Sequence, residues 1–335
     1  MKKNIYTDPA ILSKIERRSF LQLAGFSALS SFFLVSCEGD DPGPAPSPEP
    51  KPELDKTLAF FGDSLTVGSG GSASYGTAVG KSLDNRPVFI DAIGGQNSAQ
   101  IAARQGGLPL KISVEGNAFR GAETIPITKI SNEFLSTAAT VNQLTRKVTV
   151  AGVKCTIIRN GKGNPTVETY RIRPDVASTT AVPEDSLVIL ENAEKAKTAT
   201  QILWYGRNDV AGATVISDIL SNIEHSVAYI AEPKRFIILG VLAGLLETMT
   251  TDRYKWISEL NSHLEAKYGD MYVPMLPPTT TEMTAVNYTP TDQDKVEIEN
   301  GVFPMGLRAD RTHLNNDGYQ IVANRVISKM KELKY

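Results

Sequence analysis

The sequence predicts an α/β fold, a central parallel sheet covered by helices on both faces and carrying one mostly β insertion. Three observations predict it. From Thr57 onward, short apolar runs ending at or near glycine alternate with helical stretches, the pattern of buried parallel strands and their crossovers. The segment 108–197 breaks that rhythm. The first 55 residues carry export and tether patterns instead of a core, leaving about 280 residues for one large domain with a sizeable insertion.

The elements follow in order. Arg17-Arg18-Ser19-Phe20-Leu21 resembles the twin-arginine export motif; the general secretory route would read nearly the same. The apolar stretch Phe20 to Val35 is too short, and too broken by Ser and Gly, to span a bilayer core of roughly 30 Å. Leu34-Val35-Ser36-Cys37 resembles a lipobox, so residues 1–36 read as a leader and Cys37 as a lipid attachment point. Residues 37–55 read as a linker. They open with an acidic cluster, Glu38-Gly39-Asp40-Asp41, which resembles the surface-export signal of Bacteroidetes lipoproteins. The proline-rich run Pro42 to Pro52 favours extended polyproline conformation. The expected location is extracytoplasmic, anchored through Cys37 at the outer membrane or cell surface.

The body reads as one domain in two pieces, 56–107 and 198–335. Strands are expected at Thr57–Phe61, Pro87–Ile93, Gln201–Tyr205, Arg235–Val241 and Met271–Met275. Helices are expected at Tyr75–Leu83, Ser98–Arg104, Ala213–Ala231, Thr251–Tyr268 and Asp317–Lys334. The stretch before Asp310 has no regular pattern and reads as part of a cleft wall. Segment 108–197 lacks a long helical period. It carries β-branched runs, Lys147–Val153 and Lys154–Arg159, among the turn signals Ala151-Gly152, Asn160-Gly161 and Gly163-Asn164, and reads as a β-rich insertion. The alternative is that its strands extend the main sheet. There is no internal repeat.

Composition narrows the partners. The formal net charge is −2; the leader holds +3 of it, which leaves −5 on the rest. A mildly acidic body has no counterion-release drive toward nucleic acid. With Cys37 assigned to lipid, Cys155 stands alone, and it reads as a small apolar filler in a strand.

Four short blocks fall at strand ends or in the last loop, at the edge where ligands bind open α/β sheets. In Gly62-Asp63-Ser64-Leu65 a serine follows a strand and begins a helix, so its hydroxyl and N–H can face one cleft. Gly94-Gly95-Gln96-Asn97-Ser98 offers a free N–H to a developing oxyanion. In Gly206-Arg207-Asn208-Asp209 the Asn amide is a further donor, while Asp209 can cap the next helix. In Asp310-Arg311-Thr312-His313 a carboxylate three residues before a histidine can fix its ring tautomer. The other two histidines, His225 and His263, lie in polar helical stretches and read as surface positions.

Together, in this order, the four blocks resemble the SGNH, or GDSL, hydrolase family over the body from Thr57 to the C-terminus, outside 108–197. The resemblance implies a flavodoxin-like three-layer α/β/α sandwich. It implies Ser64 as nucleophile, Asp310 and His313 completing a triad, and oxyanion donors from the N–H groups of Ser64 and Gly95 (with Gly94 beside it as the alternative) and the side chain of Asn208. The implied activity is hydrolysis of acyl esters, acetyl on carbohydrate being the expectation for a tethered extracytoplasmic protein. No metal or organic cofactor is called for. Partners would be an acylated small molecule or polysaccharide, and the membrane through Cys37. Other readings are a lipase or thioesterase of the same family, and a glycan-binding lipoprotein without activity. A dinucleotide reading rests on Gly68-Ser69-Gly70-Gly71-Ser72-Ala73 with Asp91 as ribose ligand. It starts too far past the strand end for a phosphate turn, and leaves Asp310 and His313 unexplained.

Overall fold

The computed structural model describes residues 54–138, 143–161 and 168–335. The leader, Cys37, nearly all of the linker and the Gly163-Asn164 turn signal lie outside the described residues.

In chain order the described elements are β1 (Leu58–Gly62), α1 (Ser64–Val67), α2 (Tyr75–Ser82), β2 (Val88–Ala92), α3 (Ser98–Gln105), β3 (Leu110–Val114), β4 (Ile125–Ile130), β5 (Gln143–Val150), β6 (Val153–Asn160), β7 (Thr169–Pro174), β8 (Ser186–Leu190) and α4 (Glu191–Ala196). There follow β9 (Thr200–Trp204), α5 (Ile216–Tyr229), β10 (Phe236–Leu239), α6 (Asp252–Tyr268), β11 (Tyr272–Val273), α7 (Thr280–Ala285), α8 (Asp292–Glu299) and α9 (Asn316–Glu332).

Five strands form one parallel sheet in the order β11-β10-β9-β1-β2. Its inner strands are mostly apolar because both faces are covered, with Thr200 and Gln201 of β9 as buried polar exceptions, while the edge strand β2 is only partly buried and holds Asp91. Leu58 and Phe60 join a core with Tyr75 and Val79 of α2 and Tyr319, Val322 and Val326 of α9. Ala59 and Phe61 join a second core with Ile101 of α3, Ile219 and Ile223 of α5, and Leu260 and Leu264 of α6. The same alternation repeats in β9 and β10, with Ile202, Trp204, Ile237 and Leu239 in the first core and Leu203 and Ile238 in the second. The chain switches direction across the sheet between β1 and β9, which leaves a crevice at their carboxyl ends.

The six strands β3 to β8 do not extend this sheet. They close on one another as an antiparallel barrel, β3-β4-β7-β6-β5-β8, with β8 pairing back to β3. Alternate residues, among them Ile112, Val148, Val150, Ile157, Ile172 and Val188, fill its interior. Cys155 is buried among them, opposite Val148 and Pro174. The β5–β6 hairpin turns at Ala151 and Gly152, both with positive φ, as a two-residue turn between right-twisted strands requires. Val153 therefore begins the second strand instead of ending the first.

Other boundaries also move. The stretch read as helix from Ala213 opens with a 3-10 turn, and its α-helix spans Ile216–Tyr229. Before Asp310, where no regular element was expected, stand α7 and α8. Each starts with a capping box, Thr279 with Glu282 and Thr291 with Asp294.

Candidate active site

Ser64 is the first residue of α1, separated from β1 only by Asp63. Asp63 caps this helix, its Oδ1 accepting from the Leu65 N–H at 2.9 Å. The cap turns the chain so that Ser64 stands at the carboxyl end of the sheet, beside the switch point.

The second half of the site comes from a loop 249 positions later. Arg308 pairs across it with Leu314 in an isolated bridge, and the Ala309 N–H donates to the His313 carbonyl at 3.0 Å. Asp310 Oδ1 accepts from the N–H groups of Thr312 and His313, both at 2.7 Å, and its Oδ2 lies 2.8 Å from His313 Nδ1. His313 Nε2 then lies 2.9 Å from Ser64 Oγ. With the Nδ1 proton on the Asp310 side, Nε2 is left to accept from the serine hydroxyl. Slight burial pushes the Asp310 carboxyl up, but hydrogen bonds from the His313 ring and from the His313 and Thr312 amides outweigh it. They hold the carboxyl down at about 2.

Two braces hold this loop. The buried Arg308 guanidinium donates to the carbonyls of Phe303 (2.8 Å), Thr312 (3.1 Å) and Ala243 (2.6 Å); burial, then the nearby Arg207, brings its pKa down to about 10. On the other side lies the glycine-rich stretch Gly68 to Gly71. Gly70 has φ +90°, and a Cβ there would stand 2.6 Å from Ala309 Cβ and 2.8 Å from the Leu314 carbonyl oxygen. Asn316 Oδ1 accepts from the Ser72 N–H at 2.7 Å, and the Tyr319 hydroxyl donates to the Ser69 carbonyl at 2.8 Å. This stretch buttresses the histidine loop.

The loop after β2 supplies the facing wall. An added Cβ on Gly94 would lie 3.7 Å from Ser64 Cβ. Gly95 has φ +79°, and a Cβ there would meet Ala138 Cβ at 2.5 Å, so glycine is required. The N–H groups of Ser64, Gly94 and Gly95 have no hydrogen-bond acceptor among the described residues. Asn208 is placed here too, but its amide is engaged: Nδ2 donates to the Gln96 carbonyl at 2.8 Å and to Asp63 Oδ2 at 3.1 Å. Both amide hydrogens are committed, so an oxyanion would have to share one of them.

Asp209 does not cap the helix that follows it. Its Oδ2 accepts at 2.6 Å from the Ser98 N–H, at the start of α3. His225 and His263 are exposed. Asp91 is 3% exposed, bound to Arg104 at 2.8 Å and Arg146 at 2.7 Å. It is not available to a ribose, and Gly68 closes α1 instead of a strand, which removes the dinucleotide reading. Among the described residues, no cluster of three or more His, Cys, Asp or Glu side chains could hold a metal ion.

Three residues here had no role in the sequence reading. Asp63 is buried, and loss of solvent raises its carboxyl to about 6, against the Leu65 N–H and Arg207, which lower it. Gln96 and Arg104 are fully buried and join the Gly94–Gln96 loop to its surroundings. An N-cap signature, Asp before an apolar helix start, could have found Asp63. Nothing in the local pattern distinguishes a buried Arg104 from a surface one.

No family model and no curated protein matches the chain. Among solved structures it is similar to a gut microbial diltiazem-metabolizing enzyme, at a TM-score of 0.42 and 12% identity over 84% of this chain. The chain spans 48% of that protein, about half its length. It is also similar to a Bacteroides fragilis protein described as an acylhydrolase (TM-score 0.41, 13% identity, 85% of this chain and 92% of that one). A G-D-S-L family protein from Desulfitobacterium hafniense, described as lipolytic, gives a TM-score of 0.43 at 10% identity, over 82% of this chain and 99% of that one. At scores this low, these likenesses decide neither fold nor activity.

Proposed function

We infer that the chain is a serine esterase of the SGNH type, built on a flavodoxin-like three-layer core, that hydrolyses small acyl esters. The observation that carries this reading is the continuous relay from Asp310 through His313 to Ser64, with contacts of 2.8 and 2.9 Å. His313 Nε2 takes the Ser64 proton as the hydroxyl oxygen bonds to the ester carbonyl carbon. The carbonyl π electrons move onto oxygen, and the free N–H groups of Ser64 and Gly95 receive the charge, with Asn208 adding to them only by sharing an amide hydrogen it already gives to Gln96 or Asp63. As the tetrahedral centre collapses, the proton passes from His313 to the departing alkoxide. Water, deprotonated by the same ring, then releases the acid and restores Ser64. Asp310 stays ionised throughout and keeps the ring oriented.

The acyl group is read as acetyl and the alcohol as carbohydrate, on the motif resemblance and the export-type leader. The leader also supports a lipid anchor at Cys37 and a site of action outside the cytoplasm. Ser64→Ala should abolish hydrolysis of nitrophenyl acetate and of acetylated xylan or pectin while leaving the far-ultraviolet circular dichroism unchanged. Turnover by that variant at the parent rate removes Ser64 from the chemistry.

A further inference from the structure

We propose that the β-barrel insertion is the clamp that aims the oxyanion donor, with Thr137 and Gln96 as positioning residues. The proposal rests on the esterase reading for its role, though the clamp itself can be measured without it.

The starting point is the Gly94–Gly95 peptide. A trans peptide is planar, and its C=O and N–H point in opposite directions. Whatever holds the Gly94 carbonyl therefore fixes where the Gly95 N–H points. Two glycines in succession would otherwise let this plane rotate almost freely. The Gly94 oxygen is held twice, by the Thr137 hydroxyl at 2.9 Å and by the Ala138 N–H at 3.2 Å. Both donors belong to the segment that leaves β4 of the barrel, and neither belongs to the parallel sheet.

The segment is itself tied down. Gln96 Nε2 donates to the Phe134 carbonyl at 2.7 Å and to the Ser136 carbonyl at 3.0 Å. Gln96 Oε1 accepts from Arg104 Nε at 3.0 Å, and Arg104 Nη2 donates to the Gly62 carbonyl, two residues before Ser64, at 2.9 Å. At the barrel end, the Ser136 hydroxyl donates to Glu168 and the Leu135 N–H donates to the Tyr170 hydroxyl at 3.1 Å. The chain of contacts thus runs from the barrel to the Gly94 carbonyl and to the Gly62 carbonyl just before the nucleophile. Without the segment, this peptide keeps only the turn contact of the Gln96 N–H with the Ile93 carbonyl at 3.4 Å, which closes the turn without holding the Gly94 oxygen.

The test uses the full chain with Thr137→Val, which removes the hydroxyl but keeps its volume, Thr137→Ala, which removes both, and Thr137→Ser, which keeps the hydroxyl. For the first two, kcat on nitrophenyl acetate should fall roughly tenfold to a hundredfold with KM little changed, because the donor is misaimed in the transition state. Thr137→Ser should restore most of the loss. Hydrogen exchange over residues 93–97 should quicken in Val and Ala and not in Ser. Unchanged exchange in Val and Ala overturns the clamp. So does a KM rise at constant kcat, or wild-type kcat in Val and Ala while Ser64→Ala is inactive. An active Ser64→Ala defeats the esterase reading alone, and exchange still decides the clamp.

Discussion

Asp63 shows how one residue can cost the fold stability and serve the site. It caps α1 and orients Asn208, yet it is a buried carboxylate, 1% exposed. Its folded pKa of about 6 lies above the unfolded value of roughly 3.9. Between those values the folded state binds more protons, so the Asp63 contribution to stability falls as pH rises from about 4 to 6. Asp63→Asn keeps the capping oxygen and removes the charge, while its amide nitrogen replaces the oxygen that accepts from Asn208, a cost that does not depend on pH. The variant should gain on the parent across that window, by about 2 to 3 kcal/mol once both values are passed, as read from urea midpoints at pH 4 and pH 7. A pH-independent difference would show that the carboxylate is not desolvated as described. Asp310 is the opposite case: half exposed and held down near 2, it stays charged across any working pH.

At the scale of elements, the glycine-rich stretch and the histidine loop are a pair in contact. Gly70→Ala forces a methyl group against Ala309 and the Leu314 carbonyl at a left-handed φ. It should lower kcat at least about tenfold and cost roughly 1 to 3 kcal/mol, measured by initial rates and thermal melting. Full activity with an unchanged melting temperature would show that the loops part without consequence. Such contacts also divide what could be read in advance from what could not. The sheet strands announce themselves because coverage on both faces leaves continuous apolar runs, and Asp310 and His313 sit close enough in the chain for spacing to pair them. The barrel strands were recognisable as β, but closure of β8 onto β3 depends on partners more than seventy residues apart, as the Leu110–Val188 pairing shows. Helix α8 is almost wholly polar and has little apolar periodicity; its one signal was the cap at Thr291. The hold of Gln96 on Phe134 and Ser136 is side chain to main-chain carbonyl, a contact that leaves no spacing to detect.

For the whole molecule, the triad of buried Arg104 and Asp91 with half-buried Arg146 joins α3, β2 and β5, and so joins the barrel to the sheet. Burial alone would raise the Asp91 carboxyl, but the two guanidinium groups more than offset it and keep it ionised. Ile93 and Ala103, from loop and helix of the sheet layer, pack into the barrel's own core. The described residues from Leu54 to Tyr335 are accordingly one compact unit. Calorimetry should give a single cooperative unfolding transition for both parts, with the calorimetric and van't Hoff enthalpies agreeing. Two resolved transitions would mean that the barrel is a separable module.

The distance along the chain between Ser64 and His313 has a consequence for synthesis. The serine leaves the ribosome 249 codons ahead of the histidine, and α9, which packs behind β1 and carries the Asn316 that ties the glycine stretch, is translated later still. A nascent chain that ends before residue 313 therefore holds Ser64 without the ring that contacts it, and the Ser64–His313 pair can form only once the histidine loop and the α9 that ties the glycine stretch have both been made.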